Sequence, residues 1–98
     1  MATVTFRFAT SNASDTVDLS VSGVVQGTFS TSKPFSAHFS PGQYDMQVTL
    51  HGTPGDSCTT TVTEAATPPK NLLTINPADC TVPGGQTTQT AFGFFTVT

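Results

Sequence analysis

The run Tyr44-Asp45-Met46-Gln47-Val48-Thr49-Leu50 constrains this chain most. Apolar and polar residues alternate over it without a break, directly after Pro41-Gly42. A period of two puts Tyr44, Met46, Val48 and Leu50 on one face of a strand. Gln43, Asp45, Gln47, Thr49 and His51 fall on the other face. Such a segment cannot bury its apolar face as a helix, so it needs a sheet and a second layer to cover it.

The same pattern recurs along the chain. Val4, Phe6 and Phe8 alternate with Thr3, Thr5 and Arg7. Val17, Leu19 and Val21 alternate with Thr16, Asp18 and Ser20 up to Gly23. Residues 24–30 form a weaker third strand, interrupted by Gly27. Phe35, Ala37 and Phe39 make a fourth, and Cys58, Thr60 and Val62 share one face of another. Leu72–Ile75 is short, and residues 87–98 close the chain after Pro83-Gly84-Gly85. No segment carries a 3.6-residue apolar stripe. The spacing and the Gly/Pro turns predict an all-β domain over residues 1–98. The expected fold is an immunoglobulin-like or transthyretin-like β-sandwich of about 7–8 short, mostly antiparallel strands.

Charge narrows the function. Only 9% of the residues are Asp, Glu, Lys or Arg, against about 25% in ordinary soluble domains. Solubility must come from hydroxyls, amides and backbone, which suits an exported β surface. Arg7, Lys33 and Lys70 are the only cations in a chain of net charge −3. They are too few to neutralise a phosphate backbone or to hold an anionic membrane surface. No apolar run is long enough for a membrane span. Basic and apolar segments of a leader are absent, so the expectation is a leader already removed or another export route.

Cys58 and Cys80 are the only cysteines. His38 and His51 do not complete a zinc pattern with them, so a disulfide is the expected use. It would contribute about 3 kcal/mol and imply an oxidising compartment. A hairpin centred near Pro69 would set Cys58 opposite Cys80, Val62 opposite Asn76 and Glu64 opposite Thr74. A bridge between the two sheets is the alternative.

From Val4 to Thr53 the order of elements resembles bacterial cell-surface β-sandwich domains of unknown function, similar to PEGA and carboxypeptidase-regulatory-like domains. The matching pieces are Phe6-Arg7-Phe8, the turn Asn12 to Asp15, Val17-Asp18-Leu19 up to Gly23, and Pro41-Gly42-Gln43-Tyr44 leading to Val48. The resemblance implies a β-sandwich used as an envelope or adhesion module, without catalysis.

No grouping of residues reads as an active site. His38 and His51 fall on the polar faces of their strands, and no glycine-flanked nucleophile elbow occurs. Asp18, Asp45 and Glu64 stand apart, so no pair of acids is set across a cleft. Neither Asp15 with Asp18 nor Asp56 with Asp79 approaches the six to eight oxygens of a calcium site. No catalytic residue, metal or cofactor is expected. A glycan platform lacks Trp, and Tyr44 belongs to the core pattern, which leaves Thr, Asn and Gln to bind sugar. The threonine runs 59–61 and 87–88 do not form a regular array, and β-propensity accounts for them. Asn12-Ala13-Ser14 is a glycosylation sequon.

The uncharged stretch Ala91-Phe92-Gly93-Phe94-Phe95-Thr96-Val97 is the candidate interface. Phe92 and Phe94 share one face, Phe95 and Val97 the other. Either the strand is central and buried on both sides, or it is an edge that pairs with another subunit. The expected function is a non-enzymatic extracytoplasmic structural or assembly protein. It would be an envelope, appendage or virion subunit whose partner is itself or another surface protein. The alternative is a secreted binding module for a glycan or a protein, including an inhibitor acting through loops 52–57 or 65–71.

Overall fold

The computed structural model describes residues 2–31, 33–65, 70–75 and 80–98. Among these residues ten strands follow in chain order: β1 (Ala2–Thr10), β2 (Thr16–Val21), β3 (Val24–Phe29), β4 (Phe35–Phe39), β5 (Gly42–His51), β6 (Ser57–Glu64), β7 (Lys70–Asn71), β8 (Leu73–Ile75), β9 (Cys80–Thr81) and β10 (Thr88–Val97). The described residues include no helix. Every pairing is antiparallel. The strands form two sheets. The first runs β4-β1-β6-β7, with β9 also on β6; the second runs β3-β2-β5-β10-β8.

Period-two patterning decides what each sheet buries. Val4, Phe6 and Phe8 of the first sheet lie in the core with Val17, Leu19, Val21, Met46, Val48, Leu50, Phe95 and Val97 of the second. Aromatic rings join the layers. Phe6 meets Phe95 edge-on with ring centres 5.5 Å apart, and Phe39 and Tyr44 close on Phe95 at 5.4 and 5.3 Å. Offset and edge-on contacts in this range add to the area that the rings bury.

Local turn chemistry sets the registers. Ser22 and Gly23 both take positive φ (50° and 80°) between β2 and β3. That is the geometry of a two-residue hairpin turn, whose twist matches the strands it joins. A bulge between Leu19 and Ser20 shifts the β2–β3 pairing.

The segment after β6 departs from the expected single hairpin. Glu64 faces Lys70, so the turn is tighter than one centred to bring Glu64 to Thr74. The chain then leaves the first sheet. Leu72 donates its N–H to Val62, and β8 pairs with β10 in the second sheet. Afterwards the chain returns, and β9 sets Cys80 opposite Cys58. The expected Val62–Asn76 pair lies outside the described residues.

The expected disulfide is not formed. Cys58 and Cys80 face each other as anticipated, yet both are buried free thiols. Backbone register brings Cα atoms together but does not aim the sulfurs. The Cys80 thiol turns toward the other sheet and donates to the Gln89 carbonyl at 3.2 Å. Burial pushes the Cys58 thiol up to about 11 and raises that of Cys80. Both sulfurs therefore stay protonated and poorly nucleophilic.

Candidate functional site

Strand β10 pairs with β5 along its whole length, from Thr88 opposite His51 to Val97 opposite Gly42. Among the described residues its other flank pairs with β8 alone, at Phe94 and Phe95. The strand is therefore neither wholly internal nor a bare edge. Of the four interface candidates, Phe95 and Val97 belong to the core. Phe92 and Phe94 stand on the outer face, opposite Gln47 and Asp45.

Phe92 is 68% exposed. Cross-strand pairing puts it in one row with Gln47, Ser20 and Val25, so the row crosses four strands. Val25, at its far end, is 74% exposed. Two clefts flank the Phe92 ring. One, of about 380 Å³, runs between Asp45 and Phe94. The other, of about 220 Å³, is bordered by Ser20, Gly23 and Gln47. Asp45 and Phe92 line both. Met46 and Gly93 pair with each other on the core-facing register, so they supply backbone to this floor.

A polar network lies on the same outer face. The Thr28 hydroxyl donates to Asp18 Oδ1 at 2.6 Å, and His51 Nε2 donates to Asp18 Oδ2 at 2.7 Å. The Thr28 hydrogen bond, aided by His51 and opposed by partial burial, holds the Asp18 carboxyl below its ordinary range. A histidine oriented by a carboxylate is two-thirds of a hydrolytic triad. The third member would be a hydroxyl on the imidazole, and among the described residues none is hydrogen-bonded to His51. His38 pairs with the Thr3 hydroxyl at 3.1 Å on the outer face of the first sheet.

Asp15 and Asp18 do not come together as calcium ligands. Asp15 is buried, whereas Asp18 points outward to Thr28 and His51; Asp79 lies outside the described residues. No group of three or more His, Cys, Asp or Glu residues placed to hold a metal ion forms among those described. No helix among them is long and apolar enough to cross a membrane. Asn12 is exposed, and its Oδ1 accepts from Ser14 N–H and Ser14 Oγ in a tight local turn.

Set against protein-family models, curated proteins and solved structures, the chain matches none.

The parity of β10 separates Phe92 and Phe94 from Phe95 and Val97, but with both faces apolar it does not tell which pair is exposed. That choice and the clefts beside Phe92 depend on β2, β5 and β10 being neighbours.

Proposed function

We propose that this chain is a non-enzymatic extracytoplasmic structural or assembly protein, an envelope, appendage or virion subunit. In this reading the outer face of the second sheet is its interface. The observation that carries the proposal is Phe92, an aromatic side chain 68% exposed in mid-strand on a face with few charges. Exposed apolar groups gathered on one face mark association surfaces. Among the described residues β8 pairs with β10 only at Phe94 and Phe95, and in this reading the rest of that flank adds backbone groups to the same interface. The partner is a second copy of this chain or another surface protein.

The pattern over residues 4–53 supports this reading through its likeness to PEGA-type surface domains. In the same reading the two antiparallel sheets are an immunoglobulin-like or transthyretin-like sandwich. With both thiols free, the extracellular or cell-surface location rests on low charge and hydroxyl-rich composition alone.

One observation favours the alternative of a secreted binding module. The clefts place Ser20, Gln47 and Asp45 beside the Phe92 ring, a mixture of hydrogen-bonding groups and aromatic face that suits a sugar or a peptide. Size-exclusion chromatography with light scattering separates the two readings. The assembly reading predicts a mass that rises with concentration and falls back to the monomer in Phe92→Ser. A protein that stays monomeric at the highest concentrations, in company with a positive glycan array, overturns it in favour of the module.

A further inference from the structure

At one end of the sandwich the β1–β2 and β5–β6 loops meet around Asp15. Its residue is 4% exposed, although it belongs to a loop. The side chain lies flat against Gly52: a Cβ at that position would come within 2.8–2.9 Å of the Asp15 carboxyl atoms. Only glycine leaves room for this packing. Asp15 Oδ2 is buried without a hydrogen-bond donor among the described residues. A buried carboxylate oxygen left in that state is costly.

The acid that acts on it from the facing β5–β6 loop is Asp56. Asp56 is secured from its own loop. Its Oδ2 accepts from the Thr53 N–H and the Thr53 hydroxyl, each at 3.1 Å. Two ionised carboxylates facing each other repel unless something positive lies between them. The positive species must be a proton or a metal ion, and the geometry favours the proton. Two carboxyls fall well short of the ligands a divalent ion collects, and the face of Asp15 is closed by Gly52.

We propose that Asp15 and Asp56 share one proton, with Asp15 as the acid and Asp56 as the acceptor, and that this proton latches the two loops together until rising pH removes it. The division of roles follows from the surroundings. Burial first, and then Asp56, raises the Asp15 carboxyl above its ordinary value of 3.8. The Thr53 N–H first, and then Asp15, hold Asp56 below its own. Besides Asp56, the titratable group that faces Asp15 is the Cys58 thiol on β6. That thiol loses its proton only near 11, so it does not interfere. His51 is next to Gly52 in sequence, but its ring is engaged with Asp18 on the outer face.

The sign is set by proton linkage. Folded Asp15 binds its proton more tightly than the unfolded chain does. The latch is therefore complete below 3.8 and is lost as pH climbs through the raised value. The test is thermal unfolding of the whole chain from pH 4 to pH 9 for the native protein, Asp15→Asn and Gly52→Ala, together with carboxyl-carbon NMR of Asp15. Asparagine keeps the neutral shape and cannot ionise.

We expect Tm of the native protein to fall with pH relative to Asp15→Asn, by roughly 5–11 °C for each tenfold difference in proton affinity between folded and unfolded Asp15. The Asp15 carbon should titrate above 3.8. Gly52→Ala, which displaces the carboxyl, should bring that titration back toward the ordinary value. Parallel pH profiles for the native protein and Asp15→Asn would overturn the proposal, as would an Asp15 carbon that titrates in the ordinary range. If calcium chloride restores Tm at pH 9 in the native protein but not in Asp15→Asn, the bridge is a metal ion and the shared proton is overturned. The NMR titration gives its answer even where a variant fails to fold.

Discussion

Phe95 and Phe92 lie three residues apart on β10 and should behave as opposites. Phe95 is fully buried, between Phe6, Phe39 and Tyr44, with ring centres 5.3–5.5 Å away. Truncating it to alanine removes the transfer energy of the ring and leaves a cavity between two sheets that cannot close freely. Such changes cost about 3–5 kcal/mol, and the lost ring pairs place Phe95→Ala toward the upper end. A domain this small has about 5–15 kcal/mol in total, so the variant should fold weakly or unfold at room temperature. Phe92→Ala removes a ring that is 68% exposed and should stay within about 0.5 kcal/mol of the native protein. Urea unfolding followed by tyrosine fluorescence or circular dichroism measures both, and the difference in midpoint at constant slope gives the free-energy change. The result that refutes the reasoning is a Phe92→Ala variant as unstable as Phe95→Ala. It would mean that the inner and outer faces of β10 are exchanged.

Two more consequences are open to simple measurement. The native protein should leave Cys58 and Cys80 unmodified by a thiol reagent at pH 7 and release two thiols per chain once unfolded; none after unfolding would show a disulfide. Asp18→Asn should destabilise by less than about 1 kcal/mol, because a half-exposed pair is screened by solvent. The folded Asp18 carboxyl lies below 3.8, so its contribution is present above that value and disappears as pH falls through the folded one. The unfolding curves of Asp18→Asn and the native protein should differ at pH 6 and converge at the acid end.

How far the fold could be read in advance depends on how locally it is encoded. Strands β1, β2, β5 and β6 announce themselves through side chains that alternate every residue. Nothing beyond that alternation is needed to assign Val4, Leu19 or Val48 to the core. Cys58 does lie opposite Cys80, but not through the single hairpin that the spacing suggested, because the chain visits the second sheet between them. Whether they bond was not legible either, because a thiol's rotamer is chosen by its surroundings, here the Gln89 carbonyl on the other sheet.

The passage of the chain from β7 to β8 and back to β9 was equally hidden. Strands of two or three residues are too short to show a period, and their sheet is chosen by which edge lies free. Tertiary contact alone reveals the carboxyl pair, since Asp15 and Asp56 sit in loops far apart in sequence. The one local hint was Gly52, a glycine in a loop where its own φ demands none. Phe92 falls between these cases. Parity separates it from Phe95, but both faces of β10 are apolar, so its outward direction and its surroundings follow from the order of β2, β5 and β10.

The central claim is that the outer face of the second sheet is where this protein meets its partner. A dilution series of amide ¹H–¹⁵N spectra tests it residue by residue. On raising concentration, shifts should gather at Val25, Gln47, Asp45, Phe92 and Phe94 and vanish in Phe92→Ser. Shifts confined to the first sheet, at Arg7, His38 or Thr61, would contradict it.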